Sequence, residues 1–465
     1  MKKLIAISMV LALLLAAGCS GGTSSNGQSA GTKGATAADT GSSTAATGSS
    51  AAEKSTADAA AANAPASDLK SECNVWTWES VDLQAKVTED FNKAYPGIEI
   101  VFTNVSAGDM PMKLQATLAS GGDMPQVCWI EISMRGKVFS LDCLDTFTDA
   151  PYNAVKGEML DFMMPVHSTA DGRWVSAEVS TPISGISYRR DLLKKYLGTD
   201  DPDEVPKLLT TWDDMYELGQ KIKSESNGEV YLFGAIQELS GIFQGQRPIP
   251  YIKDGKLNID DAFSPVLDAL IRFYSSGLVA PIDQWSPEWN ASFNEKTYVF
   301  NAAPTWYPTW TIKAFGTEAS GNWAITLPPG GGFLYGGTGV AIPKAAKNKE
   351  LGWAYLKWCY LSKEGAVSNR DNASYMTAYA PVWQEENFFT QPDDYFGGQD
   401  ILKCYTQLIA KNMAATRPVT EYDVEVGDAY SMAVQTIKET EGKVSSAELL
   451  STMREEIVNK VPELK

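Results

Sequence analysis

"CNVWTWESVDLQAKVTEDFNKAYPGIEIVFTNV" occupies residues 73–105, and its reading decides the fold class. Residues 73–80 read as a short buried strand. Leu83, Val87, Phe91 and Ala94 then recur close to the helical period, and Pro96-Gly97 stops that helix. Residues 98–105 alternate in the manner of a strand. The chain continues in the same way. "DMPMKLQATLASGGD" (109–123) is a helix stopped by Gly121-Gly122, and "PQVCWIEIS" (125–133) is another strand. Strands alternating with helices predict an α/β fold with a mainly parallel sheet.

The second half follows the same logic without repeating the sequence. "GISYRRDLLKKYLG" (185–198) is a strand end running into a helix with a glycine stop. Thr211 is an expected N-cap with Asp214 three residues on, a variant capping box. Trp212, Met215, Leu218 and Ile222 then line one helical face. No fixed-period repeat is visible, which disfavours solenoids and propellers.

Composition excludes several function classes. The 465 residues carry 39 Lys+Arg against 57 Asp+Glu, a formal charge of −18. That is the opposite of a nucleic-acid footprint and argues against direct adhesion to anionic lipid. There is one histidine, His167, so clustered histidine metal sites are impossible, and neither a metal nor a cofactor is expected. His167 sits in "PVHSTADGRW" (165–174) and reads as a solvated loop histidine rather than a catalytic one. The acidic run "DDPDE" (200–204) lacks the spacing and glycine of a calcium loop and reads as a solvated turn.

The N-terminus has its own logic. Met1-Lys2-Lys3 is a positive start, and Leu4 to Ala17 is an apolar run too short to span a bilayer comfortably. The run leads through small residues to Cys19 and resembles the lipobox of bacterial lipoproteins, although Ala16 stands where leucine is most usual. The resemblance implies cleavage before Cys19, so that 1–18 is a signal peptide, and lipidation of that cysteine, including a diacylglycerol thioether. Residues 19–70 are the lipidated cysteine followed by Gly, Ser, Ala and Thr with little apolar content, which cannot offset the entropy of ordering. They read as a disordered tether reaching about 40 Å. Cys73, Cys128, Cys143, Cys359 and Cys404 remain, an odd number without metal spacing, and no disulfide is assigned.

Seven segments in order are similar to the extracellular solute-binding proteins of family 1, the receptors of carbohydrate ABC importers related to maltose-binding protein. They are "VWTWES" (75–80), "KLQATLASGGDMPQVCWIE" (113–131), "SGISYRRDLLKKY" (184–196), "TTWDDMYELGQKI" (210–222), "ASFNEKTYVFNAAPTW" (291–306), "NWAITLPPGGG" (322–332) and "GGTGVAIPKAAKNKELGWAYLKW" (336–358). The resemblance implies a two-lobed α/β fold of the type II periplasmic-binding-protein kind, with a ligand cleft between lobes. On that template, lobe one holds 71–183 and 334–372, and lobe two holds 184–333 and 373–465. It also implies a binding protein rather than an enzyme. Its ligand would be a carbohydrate, its partner an ABC importer permease. The protein would be a monomer held at the outer face of the cytoplasmic membrane by the lipid anchor alone.

Sugar chemistry selects the candidate residues. Hydroxyl groups need hydrogen bonds, strongest to charged partners, while C–H faces pack on flat aromatic rings. Trp78 and Glu79 follow the first strand, Asp109 opens a helix, and Glu131 lies at the same sheet edge. In lobe two, Trp306 matches the family's stacking tryptophan, with Tyr307 and Trp310 beside it in a proline-broken loop. Glu238, Gly337, Trp383 and Tyr430 complete the candidates. Trp76, Trp129, Trp353 and Trp358 lie on apolar faces and read as core. A polyamine would also suit acidic and aromatic residues. A surface glycoside hydrolase, needing two carboxylates across the scissile bond, is the reading from another class.

Overall fold

The computed structural model describes residues 71–79, 81–412 and 416–465. Cys19, the signal peptide and the tether lie outside the described residues.

The opening stretch folds as read. Strand β1 (Ser71–Thr77) runs into helix α1 (Val81–Ala94) and strand β2 (Ile98–Asn104), and β1 and β2 pair in parallel. Val87 and Phe91 of α1 are fully buried, as their helical spacing requires. Helix α2 (Met110–Ser120) ends at Gly121, whose φ of +64° is the left-handed conformation glycine adopts without cost. Strand β3 (Val127–Glu131) is shorter than expected: helix α3 (Ile132–Ser140) starts at once, because the Glu131 side chain caps it by accepting from the Ser133 amide.

After β4 (Ala177–Glu178) the chain builds a second sheet. Its elements are β5 (Ile183–Arg189), α4 (Arg190–Leu197), α5 (Val205–Leu208), α6 (Trp212–Glu225), β6 (Tyr231–Ala235), α7 (Ile236–Gly245), the hairpin of β7 (Ile252–Lys253) and β8 (Lys256–Leu257), α8 (Ile259–Ser275), β9 (Val279–Ile282), α9 (Pro287–Ser292), β10 (Tyr298–Pro304), β11 (Trp323–Thr326) and β12 (Phe333–Leu334). Strand β13 (Thr338–Ala341) returns to the first sheet. Helices α10 (Lys349–Tyr360), α11 (Lys363–Ser368), α12 (Ile401–Asn412), α13 (Asp423–Glu439) and α14 (Ser446–Lys460) follow. The expected capping box of α6 is present, with Thr211 and Asp214 bonded reciprocally.

The strand order is β2-β1-β3-β13-β4 in one sheet and β11-β5-β10-β6-β9 in the other, with β12 on β5. Each sheet is mixed, which corrects the expectation of a mainly parallel one. β13 pairs antiparallel with β3 and β4, and β5 pairs antiparallel with β10 and β11. In the first sheet the antiparallel strand is β13, which enters after the chain has returned from the second sheet; in the second sheet it is β5, the strand by which the chain first arrives, that runs against β10, β11 and β12. One core lies around the first sheet, with Val75, Val127, Ile130 and Leu356 fully buried. The second sheet carries two, one around Phe233, Leu267 and Ile437 and one around Trp289, Trp323 and Phe396. Each such side chain stabilises by roughly 1.5–3 kcal/mol on burial.

Three stretches connect the two sheets. Residues 179–182 lead out and 335–337 lead back. They bond to each other's flanks: the Val179 amide donates to Thr338 O (2.9 Å) and the Tyr335 amide to Pro182 O (3.0 Å). The third, around 373–378, receives the Thr181 amide at Met376 O (2.7 Å). Its side chains alternate in allegiance: Tyr375 packs in the first core and Met376 in the third.

A buried polar cluster pins these crossings and corrects the reading of His167, which is fully buried rather than solvated. Glu178 binds Arg135 Nη2 (2.8 Å) and His167 Nε2 (2.9 Å) through one oxygen, and its other oxygen accepts the Thr338 amide (2.6 Å). His167 Nδ1 faces Ser176 Oγ at 2.8 Å. With Nε2–H donated to Glu178, Nδ1 accepts the hydroxyl proton, a tautomer assigned from this network. Burial and then Arg135 push the His167 pKa down to about 4, so the ring is neutral. Burial pushes Glu178 up, but Arg135 and His167 together outweigh it and hold the carboxylate ionised. The polar turn composition around 167 hid a residue whose partners stand on α3 and β4.

Candidate functional site

The crossing stretches gather most of the predicted residues. Glu79 lies just past β1 and is held by Tyr375, whose hydroxyl donates to it, and by Gln84 Nε2 (2.8 Å). Burial pushes its pKa up against both bonds. Glu131 stands opposite Thr338 at the start of β13, and the Ile132 amide donates to Gly337 O (3.0 Å). Burial raises the Glu131 pKa as well, opposed by Ser133 and Arg135. Gly337 itself has φ +133°, and a Cβ there would stand 3.0 Å from Pro182. Only glycine fits this left-handed position beside the neighbouring crossing.

Trp306 follows the end of β10 and reaches the same place from the other sheet, its indole Nε1 donating to Tyr335 O (3.3 Å). It is half-buried, edge-on to Tyr307 at 4.5 Å. Trp78 is half-buried, edge-on to Trp129 at 5.7 Å. Asp109 is exposed and bonded to Ser106 Oγ (2.6 Å), in a loop that reaches the end of β1 through Val105 N to Thr77 O (2.9 Å). Trp383 is tied to the third crossing by Nε1 to Thr377 O (3.0 Å).

Three candidates lie elsewhere. Tyr430 is buried, stacks on Phe263 at 4.5 Å, and its hydroxyl accepts from Ser240 Oγ (2.7 Å). Its position on the apolar face of α13 makes it a packing residue, and it leaves the candidate set. Tyr307 and Glu238 are fully buried, so neither presents a surface to a solute. They form the floor beneath Trp306: Tyr307 Oη donates to Glu238 Oε1 (3.3 Å) and accepts from Gln284 Nε2 (2.6 Å). With the Asn301 amide oriented to satisfy both of its ends, its nitrogen donates to Glu238 Oε2 (2.6 Å) and its oxygen accepts from Tyr298 Oη (2.8 Å).

Burial pushes the Glu238 pKa up to about 8, against the Tyr307 bond, so this carboxyl is neutral at pH 7. The linkage has a definite sign. The unfolded carboxyl ionises in the ordinary carboxylate range, while the folded one keeps its proton to about 8. Between those values the unfolded state binds fewer protons, so this group's contribution falls as pH rises and is flat above about 8. Each tenfold change in proton affinity is worth about 1.4 kcal/mol, and the loss is expected to exceed that. Glu238→Gln should therefore stabilise the ligand-free protein more at pH 8 than at pH 5.5, measured by denaturant unfolding at both. An equal effect at the two pH values would show that Glu238 is ionised throughout.

Sequence reasoning missed Gln284, Trp285 and Tyr335. Tyr335 lies on a crossing, with its hydroxyl on Gln284 (3.1 Å). Trp285 is exposed beside Trp306, the ring centroids 5.9 Å apart and the planes 13° apart. A tryptophan between a polar turn and a helix N-cap gives no periodic signal. The one available hint was the surplus of tryptophan, 13 in the chain.

Two α/β lobes with separate cores, joined by crossings that collect half-buried aromatic and carboxyl groups, are the architecture of a solute-binding protein. The comparisons agree. The family model of bacterial extracellular solute-binding proteins matches residues 86–386, and the chain belongs to that family. The arabinooligosaccharide-binding protein of Bacillus subtilis (strain 168) is 24% identical over 374 residues, covering 72% of this chain and 81% of that protein. A crystal structure of an extracellular solute-binding protein of family 1 superposes with a TM-score of 0.73 at 21% identity, covering 83% of this chain and 99% of the other. The ABC-transporter-associated binding protein of B. animalis subsp. lactis, solved with β-1,6-galactobiose, gives a TM-score of 0.65 at 18% identity, covering 84% and 98%. These relatives are binding proteins. Among the described residues no helix is long and apolar enough to cross a membrane.

Proposed function

We propose that this protein captures a carbohydrate, in the form of an oligosaccharide, between its two lobes and delivers it to the permease of an ABC importer. The observation that carries the reading is Trp306, a half-buried ring fastened to a crossing between the sheets, with the part-buried carboxyl groups of Glu79 and Glu131 held at the crossings as well. A flat apolar face beside polar hydrogen-bonding groups matches the two surfaces of a sugar. The relatives that bind arabinooligosaccharide and β-1,6-galactobiose support the same ligand class. A polyamine is less well served. Its ammonium groups need fixed negative charge, whereas burial favours the neutral form of Glu79, Glu131 and Glu238.

The lobes are taken as 71–183 with 334–372, and 184–333 with 373–465, except that Ile183 and Leu334 pair with each other in the second sheet and so belong to lobe two, and ligand binding closes them. Cys19 carries the lipid anchor, and residues 20–70 hold the folded part outside the membrane as a monomer with no enzymatic activity. Thermal-shift measurements against monosaccharides, oligosaccharides, amino acids and polyamines test the ligand class. A sugar chain at 100 times its Kd should add about 2.7 kcal/mol of stability. Stabilisation by a polyamine alone, or cleavage of the added oligosaccharide, would overturn the reading.

A further inference from the structure

We propose that Trp285 contacts the ligand and forms with Trp306 an aromatic ledge that selects a sugar chain of at least two units over a single sugar. The inference rests on the carbohydrate reading above.

The first observation is the backbone. Among the described residues nine non-glycine positions have positive φ, and Trp285, at +70°, is the only aromatic one. The others are Asn, Asp, Ser or Glu. A bulky side chain in that region is a genuine outlier, and such strain persists only where the surroundings over-determine it. Here they do. Trp285 is the third residue of a turn closed by the Ser286 amide on Asp283 O (3.1 Å), a position that favours glycine when φ is positive. Asp283 is held by Gln237 Nε2 (3.1 Å) and by Lys438. Gln284 is locked between the hydroxyls of Tyr307 (2.6 Å) and Tyr335 (3.0 Å). Ser286 caps the following helix by accepting the Trp289 amide (3.1 Å). The turn is thus fastened to α7, to α13, to the floor under Trp306 and to the crossing at Tyr335.

The second observation is the exposure that this arrangement produces. Trp285 is 41% exposed, one of few large apolar side chains left open to solvent. A structural tryptophan would point inward, as its neighbour Trp289 does. Trp285 instead rests one side of its indole on Trp289, centroids 4.8 Å apart, and leaves the remainder open despite the strained backbone.

The third observation is the spacing to Trp306. Two parallel rings admit a flat ligand between them only when about 7 Å apart, twice the contact distance of carbon atoms. The centroids are 5.9 Å apart with planes 13° from parallel. The pair is therefore an offset stack and not a clamp, and the ligand takes the stepped ring surface that the offset leaves open. Two indoles offer more flat apolar surface than one sugar ring covers, so the second ring gains its contact from the second unit of a chain.

The test uses the full folded protein and its Trp285→Gly and Trp285→Phe variants. Affinities are measured by calorimetry for arabino-oligosaccharides and β-1,6-galacto-oligosaccharides of one to four units. Glycine relieves the positive φ but gives up the packing on Trp289 and Trp306, so the ligand-free melting temperature of Trp285→Gly should fall by no more than that of Trp306→Ala. Its affinity for chains of two or more units should fall at least tenfold, with less than twofold change for the single sugar, and Trp285→Phe should recover part of the loss. If wild type binds chains and Trp285→Gly binds them equally well, the ledge is refuted while the carbohydrate reading stands. A melting temperature below that of Trp306→Ala together with equal losses for all lengths would make Trp285 a structural residue. If wild type binds no sugar of any length, it is the underlying carbohydrate reading that fails.

Discussion

Glu178→Ala is expected to cost roughly 3–5 kcal/mol of stability, the range for removing one partner of a buried ion pair. Glu178 and Arg135 are both fully buried, 2.8 Å apart, with no water-exposed route for either charge. Removing the carboxylate leaves the guanidinium uncompensated, and it also strips the acceptor from the Thr338 amide at the start of β13. That amide sits where the chain re-enters the first sheet, so the damage reaches the crossing as well as the core. Denaturant unfolding followed by tryptophan fluorescence measures the loss. A cost below about 1 kcal/mol would mean that the cluster is solvated or that Arg135 finds another partner. Replacing both charges, as Arg135→Met with Glu178→Leu, should cost less than Glu178→Ala alone, because paired buried charges contribute little net stability compared with well-packed apolar groups. A double variant worse than the single one would instead make the pair itself a strong stabiliser.

Local rules carried the fold a long way. The helical spacing of Val87 and Phe91, the glycine stop at Gly121 and the capping box at Thr211 each depend on residues within a turn of one another, and each stands in the structure. What escaped the sequence is what depends on distant partners. Glu79 bonds to Tyr375 across 296 positions, and Glu178 to Thr338 across 160. No local pattern announces such pairs, and the same blindness explains His167, whose polar neighbours suggested solvent. The candidate site shows the same division. Position at a strand end singled out Glu79 and Glu131 and the family resemblance singled out Trp306, which the crossings do bring near, while residue type alone suggested Tyr430, which an aromatic stack on Phe263 claims for the core. Trp285 was invisible for a further reason. Its role comes from an unfavourable backbone conformation, and sequence rules predict favourable ones.

Trp306→Ala should have the largest effect on binding. Truncating a central aromatic anchor commonly costs 2 kcal/mol or more, and about 2–3 kcal/mol corresponds to a 30- to 150-fold loss of affinity. The loop that holds Trp306 justifies placing it at the upper end of what one ring can do. Pro304 ends β10 and Pro308 begins the next short helix, so the backbone on both sides is restricted. The indole is also fastened at its nitrogen to Tyr335 O. Little freedom remains to be lost when a sugar face arrives. The stability of the ligand-free variant separates this role from a structural one. Trp289, fully buried, should cost about 3–5 kcal/mol when cut to alanine. Trp306 is only half-buried, so its truncation should cost about half of that, while removing most of the affinity. The two variants are thus expected in opposite order, Trp289→Ala the less stable and Trp306→Ala the poorer binder at a temperature where both are folded. A Trp306→Ala protein that is as unstable as Trp289→Ala, or that binds the best sugar chain like wild type, would remove the ring from the site and with it the main support for a carbohydrate ligand.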